Sequence, residues 1–539
     1  MPRFWLAVAS LLPLLIVGGC EKGGFSQKAS AGKERIFRYS LVSNPTHVDP
    51  AFVQDADTID LTQQIFEGLV MWSPENEVVG NLAESWSISP DRKQYTFKLR
   101  KGVRFSNGRL LTAADFKWAI ERACNPELRS ETAEEYLGDI VGVSECVRGR
   151  SNEVRGISAE DDRTLRIELS KPVPYFLDKL TYPCAFVVCK EALPRVVNGA
   201  TGEMVRPEQM IGTGPFIAKR YVEDQVFEFE ANKSYHGGAP LIDGIERPIL
   251  KDAASRLNKF KAGEVDLVQL ERQDVAGLKS DPVYGSRLHA FPRPATAYIA
   301  FNAKAYPLFQ NRDVRRAIAM AVDTKEICSK TLGGLETVAT GIIPEGVLGH
   351  RTMASTIAFD PVQARKLLAQ AGFPNPSKMP PLDLYLRAER EDTRLVAEAT
   401  QGYLEKNLGI RVTLKPLEWT TFLDKRNRHE LPMYLLDWTA DYLDPQNFIS
   451  LLFATNGGGN RQGYSNPQVD SLCAKADEMP QKDPRRLELY ARAEDLILQD
   501  APWIPLYFES DLELISPRIK GLRESVFGHL PHTEVSLEN

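Results

Sequence analysis

Apolar and polar residues alternate along Phe37-Arg38-Tyr39-Ser40-Leu41 and again along Tyr95-Thr96-Phe97-Lys98-Leu99-Arg100, the two-residue period of a strand with one buried face. Asn107-Gly108 follows the second run as a tight-turn signal. Thr112-Ala113-Ala114-Asp115 then carries a capping-box pattern that predicts a helix through Phe116–Ala123. Val314, Ala317, Ile318, Ala321 and Val322 recur at helical spacing, with Asp313 placed to cap them. Asp360-Pro361 predicts another helix start and Gly372 its end, because proline suits the first helical turn and glycine the residue just past the last. Short strands and helices alternate along the body, which predicts an α/β architecture.

The first twenty residues follow a different pattern. Arg3 precedes an almost wholly apolar stretch from Phe4 to Val17, and Gly18-Gly19 lead into Cys20. The run is short for a bilayer span, which takes about 20 residues, and fits the apolar region of a secretory signal. Val17-Gly18-Gly19-Cys20 resembles the lipobox of bacterial lipoproteins. That resemblance implies a signal peptide over residues 1–19, lipidation of Cys20, and a flexible tether over residues 20–33, rich in Gly, Ser, Lys and Ala. The competing reading is an ordinary signal peptide followed by an incidental cysteine.

Composition narrows the classes. The 539 residues suit about three domain-sized lobes. A net charge of −6 provides no basic footprint for nucleic acid and no polybasic membrane patch. Beyond Cys20 there are six cysteines: Cys124, Cys146, Cys184, Cys189, Cys328 and Cys473. Export would permit disulfides, with Cys124–Cys146 and Cys184–Cys189 as the local candidates, and at least one bridge is expected. Catalytic constellations are missing. The sequence holds no G-x-S-x-G, no H-E-x-x-H and no G-K-[ST] phosphate loop, and Gly212-Thr213-Gly214 lacks the third glycine of a dinucleotide fingerprint. His529 and His532 flank Pro531 with no third ligand beside them in sequence, so no metal and no cofactor are expected. Nothing here reads as an enzyme.

Several segments, in order, resemble the extracytoplasmic solute-binding proteins of family 5, the oligopeptide- and dipeptide-binding type that serves ABC importers. They are Asn44–Pro50; Gln64-Ile65-Phe66-Glu67-Gly68-Leu69; Leu82-Ala83-Glu84-Ser85-Trp86; Tyr95–Phe105 with Asn107-Gly108; Gly212-Thr213-Gly214-Pro215-Phe216; Phe260–Asp266; Phe301-Asn302 with Arg312–Ala317; and the run DWTADYLDP from Asp437 to Pro445. The resemblance implies a periplasmic binding protein-like II clamshell of three lobes. Lobe Ia would comprise 34–66, 190–294 and 511–539, lobe Ib 67–189, and lobe II 295–510, with chain crossings near 294 and 510. It further implies a monomer at the periplasmic or cell surface, anchored to membrane by lipid, that captures peptides in an interlobe cleft and delivers them to the permease subunits of an ABC importer. The alternatives keep the fold with another solute (an oligosaccharide, a metal chelate or haem) or make the chain a peptide-sensing lipoprotein.

The same resemblance nominates site residues. Asp441 would pair a peptide's N-terminal ammonium group; a plain Asx turn ahead of Asp444-Pro445 is the competing reading. Ala56, Asp57 and Thr58, and Thr439 through Asp441, would flank the peptide as strands. Trp419, Trp438 and Tyr298 would line the cleft, against a competing role as core. Arg426 and Tyr464 match positions near the ligand. Tripeptide binders of this type carry an arginine three residues before the motif's tryptophan; here that residue is Leu435. Arg387, Arg390 and Arg394 are candidates to meet the ligand's carboxylate in its place.

The lipobox pattern generates a direct expectation. Cys20→Ala should abolish incorporation of labelled palmitate into the expressed chain; undiminished labelling would show that Cys20 is not the modified residue.

Overall fold

The computed structural model describes residues 34–193, 206–352 and 357–538, so the signal, lipobox and tether readings lie outside the described residues. Three sheets organise the body. The first has the order Ile36–Arg38, Gly244–Pro248, Val226–Ala231, Phe216–Val222, with only its first pair parallel. The second is antiparallel, in the order Ala83–Ile88, Gln94–Leu99, Thr164–Glu168, Ile157–Asp161. The third is seven-stranded and mixed, and is built on the antiparallel pair Leu288–Phe301 and Trp503–Ile515. Among the described residues no helix is long and apolar enough to cross a membrane.

Local sequence accounts for much of this. Phe37, Tyr39 and Leu41 are buried while Arg38 and Ser40 are half-buried, as the alternation predicts. Thr112 caps the helix Ala113–Ala123, and Asp115 reaches back to the Thr112 N–H at 2.9 Å. Asp360 accepts from the N–H groups of Val362 and Gln363 to open Pro361–Gln370, and Gly372 follows with φ +96°. The helix Arg312–Met320 begins earlier than predicted. Asn311, not Asp313, is its cap, because the Asn311 side chain accepts from the Asp313 N–H at 2.8 Å.

Two features place the site. Gly214 donates its N–H to the Ile65 carbonyl at 2.8 Å, and a Cβ on Gly212 or Gly214 would lie 2.0 Å or 2.6 Å from that same oxygen. The G-T-G turn therefore clamps the end of the helix Ala56–Ile65, and only glycine permits that approach. Second, the long strands Leu288–Phe301 and Trp503–Ile515 pair with Leu267–Gln269 towards one end and with Met433–Thr439 or Thr337–Val338 towards the other. The crossings expected near 294 and 510 fall inside these strands. Their register shifts between Pro292 and Thr296, where two prolines lack the N–H a ladder needs.

The expected disulfides do not form. All six cysteines are buried free thiols. Cys124, Cys146, Cys184 and Cys189 sit in one apolar core with Phe97, Phe116 and Ile167, where a thiol behaves as a small apolar side chain.

The loop after Met433–Thr439 is fixed by a buried ion pair. Arg486 donates to both Asp444 oxygens at 3.0 and 2.7 Å, and neither side chain has any exposed surface. Asp444 also accepts from the Gln446 N–H at 2.9 Å, so it caps the short helix that follows. Arg486→Met should leave Asp444 buried and unpaired, at a cost of about 3–5 kcal/mol. Urea denaturation followed by tryptophan fluorescence reads the loss; an unchanged midpoint would remove the pair as an anchor.

Candidate functional site

A cavity of about 640 Å³ opens between the N-terminus of the helix Ala56–Ile65, the ends of the strands Leu382–Arg387 and Met433–Thr439, the strand Trp503–Ile515 and the hairpin around Phe527. Its size falls in the range of roughly 300–1,000 Å³ typical of small-ligand sites. Seven of the nine nominated ligand contacts line it: Ala56, Asp57, Trp419, Arg426, Trp438, Thr439 and Asp441.

Asp441 is the most perturbed of these. Its backbone N–H donates to Asn447 Oδ1 at 3.1 Å, and the Trp438 indole donates to the same oxygen at 3.2 Å, so one fully buried asparagine orients both motif residues. The Asp441 carboxylate accepts from the Tyr136 hydroxyl, which stacks on Tyr182 from the opposite wall. No lysine, arginine or histidine pairs with it among the described residues. Burial, and secondarily the nearby Glu135 charge, push its carboxyl up to about 7, against the Tyr136 and Asn447 hydrogen bonds that favour the ion. It is a desolvated acid short of a cation.

A second group of charges lies elsewhere on the wall. Arg387 donates to Asp57 and Ser43, each at 2.9 Å, and its guanidinium lies 4.4 Å from the Trp419 ring centre. Burial opposes the Asp57 charge, but Arg387 and Arg390 hold its pKa below the usual carboxylate value. Arg390 lines the cavity and its guanidinium makes no hydrogen bond among the described residues. Burial works against its charge, yet Asp57, Glu271, Asp437 and Glu509 raise its pKa above the ordinary arginine value. Glu509 is pushed far up, first by burial and then by the Asp437 charge. The Trp419 indole N–H has no hydrogen-bond partner among the described residues.

Five expectations are corrected here. Ala56–Thr58 form the first turn of an α-helix, not a flanking strand, because Asp55 caps it by accepting from the Thr58 N–H at 3.0 Å. On the other side only Thr439 is in a strand; Ala440 and Asp441 lie beyond its end. Tyr464 lies outside the cavity wall; it is core, hydrogen-bonded to Asp500 at 2.8 Å and packed edge-on against Phe453. Tyr298 is stacked on Trp503 in the core and reaches only a small recess of about 30 Å³ beside Arg426 and Trp438. Arg394 stays on the surface with Glu391 and Glu398, so Arg387 and Arg390 alone of the three reach the cavity. Leu435 is core, as an apolar residue there requires.

Sequence reasoning missed Tyr136, Asp437 and Glu509. Asp437 opens the DWTADYLDP run and so was in view. Tyr136 and Glu509 carry no local pattern and reach the site only through the fold.

The comparisons agree with this architecture. The family model described as "Bacterial extracellular solute-binding proteins, family 5 Middle" matches residues 77–460. The probable deoxycholate-binding periplasmic protein YgiS of Escherichia coli is 32% identical over 504 residues, covering 90% of each chain. Heme-binding protein A of Haemophilus influenzae is 28% identical over 547 residues, covering 97% of each. The solved murein tripeptide-binding protein MppA of Escherichia coli superposes with a TM-score of 0.86 at 26% identity, covering 94% of this chain and 99% of that one. Against the unliganded open form of MppA the score is 0.64, with 94% and 98% covered. These relatives are named as binding proteins, and the α/β body has the periplasmic binding protein fold. The chain is a binding protein, not an enzyme, and belongs to the family 5 bacterial extracellular solute-binding proteins.

Proposed function

We propose that the solute is a short peptide held by its N-terminal ammonium group on Asp441. The observation that carries this reading is the Asp441 carboxylate in the cavity wall, which accepts from Tyr136 and has no cationic partner among the described residues; burial pushes its carboxyl up to about 7. An ammonium group supplies the missing charge, and a charge-assisted hydrogen bond in a dry site is among the stronger polar contacts. Arg390 offers a guanidinium for the ligand's carboxylate, and the Trp419 N–H is a spare donor for its main chain. MppA, named for a murein tripeptide ligand, supports the peptide class.

The wider role follows the same reading. The peptide enters between lobes divided as 34–66, 190–294 and 511–539; 67–189; and 295–510. The lobes close over it by hinge motion at the paired strands, and the lower score against the open MppA form supports two states of this kind. Tyr136 and Asp441 meet from opposite lobes in the closed state. A lipid on Cys20 keeps the monomer on a membrane, in the periplasm or at the cell surface, where it passes peptides to the permease subunits of an ABC importer.

Calorimetry with a free tripeptide and its N-acetyl form, on wild type and Asp441→Asn, tests the anchor. Asp441→Asn should cost the free peptide about 2–5 kcal/mol, or roughly 30-fold to several-thousand-fold in Kd. The acetylated peptide should lose little further, because the two changes remove the same contact. The pH dependence has a fixed sign. A bound ammonium group draws the Asp441 pKa below its free value of about 7, so binding expels a proton in that window. Affinity for the free peptide should therefore fall as pH drops below about 7, approaching tenfold per unit. The acetylated peptide should lack that slope. Additive losses, or tighter binding of deoxycholate that ignores Asp441→Asn, would overturn the peptide reading.

A further inference from the structure

We propose that Glu513, Glu524 and His529 form a binding site for a divalent transition-metal ion of the zinc type in the wall of the ligand cavity. One carboxylate oxygen from each glutamate and one imidazole nitrogen lie within 4.8 Å of one another. His529 Nε2 is 3.1 Å from Glu513 Oε2 and 3.6 Å from Glu524 Oε1. Zinc bonds of about 2.0–2.2 Å to nitrogen and oxygen set the edges of a tetrahedron at roughly 3.3–3.5 Å. The donors thus already stand close to the spacing a metal would impose.

Secondary structure fixes this arrangement. Glu513 comes from the long strand Trp503–Ile515. Glu524 and His529 face each other across a two-stranded hairpin, in register with each other. Gly528, with φ +122°, allows the tight reversal that brings His529 back opposite Glu524. The hairpin is held on three sides. Arg293 donates to the Phe527 carbonyl at 2.8 Å, Gln63 donates to the His529 carbonyl at 2.7 Å, and Trp72 stacks on Phe527 at 4.2 Å. No large movement is needed to gather the ligands.

The surrounding charges favour a cation here. The guanidinium groups nearest the cluster are committed elsewhere: Arg247 to Asp60, Arg293 to Asp511, and Arg523 to Glu534. Glu513 and Glu524 have only imidazoles as cationic partners among the described residues. His289, which faces Glu513 in the strand register, hydrogen-bonds the other Glu524 oxygen at 3.1 Å. That is the arrangement of an outer partner that orients a ligating carboxylate. His532 stands apart, 2.5 Å from the Tyr39 hydroxyl.

Two carboxylates and a neutral imidazole balance a dication, and the mixed nitrogen and oxygen set suits zinc better than calcium or magnesium. Three protein ligands leave the fourth position of a tetrahedral ion open. Glu513 and His529 both line the cavity, so a water or an oxygen donor of a captured solute can fill that position. The sequence hides the site: His529 has no ligand within a turn of it, and the glutamates arrive from 16 and 5 residues upstream. The inference is independent of the Asp441 anchor.

The test uses the purified full chain stripped with chelator and titrated with Co²⁺ and then Zn²⁺. One equivalent of Co²⁺ should produce the intense visible absorption of a low-coordinate site, and Zn²⁺ should bleach it. Glu524→Gln and His529→Asn should each weaken Zn²⁺ binding at least tenfold by calorimetry. The Glu524 side chain sits part-exposed on a surface hairpin, so its variant keeps the fold, as the melting curve checks. His289→Asn should weaken binding by about 10- to 100-fold if it orients Glu524. Wild type that takes up no stoichiometric metal, or uptake that survives both ligand variants, would overturn the site and leave a salt-bridged histidine.

Discussion

The Asp444 carboxylate and the Arg486 guanidinium meet where neither touches solvent, and the loop that bears Asp441 hangs from that contact. A buried pair of this kind adds little net stability compared with apolar packing, because both charges lose their hydration. What it provides is geometry. Asp444 sets the turn into the short helix Pro445–Asn447, and that helix presents Asn447 to Trp438 and Asp441 together. Tyr442 lies between the two aspartates in sequence and stacks on Tyr175 in the core. Four residues of chain thus hold one aspartate neutralised by a permanent partner and another with its partner missing.

Much of this was legible in the chain. The DWTADYLDP run brings Trp438, Thr439 and Asp441 to the cavity wall, and the side-chain cap in that turn is made by Asp444. Capping residues located the starts of the helices at 113 and 361 because a cap is a local hydrogen bond. The failures share a cause. Tyr298 and Tyr464 are aromatic residues in family positions, but whether a ring faces a cavity or a core depends on what packs behind it, here Trp503 and Phe453. The family resemblance makes Ala56–Thr58 extended, and their own side chains say little either way; Asp55, one residue earlier, decides for helix. Glu509 and Tyr136 meet the site from distant segments, and no spacing rule encodes that.

The cavity wall is unusually rich in charge for a pocket that holds a small solute. Asp57, Asp437 and Glu509 share one region with Arg387 and Arg390, while Asp441 and Glu135 share another with Arg426 nearby. Opposite charges that are not fully paired make a site whose field can be completed by many zwitterions. The wall combines tryptophan and arginine with carboxylates, of which Asp441 and Glu509 are desolvated.

The six buried thiols have a consequence for how the protein comes to exist. The six described cysteines stay unbridged, so this part of the chain needs neither an oxidase nor an isomerase to mature. The hazard is confined to the time before folding, when Cys124, Cys146, Cys184 and Cys189 are exposed and close enough in sequence to cross-link wrongly. Rapid formation of the core that encloses all four is then the protection, and folding speed, rather than redox chemistry, becomes the quantity on which yield depends.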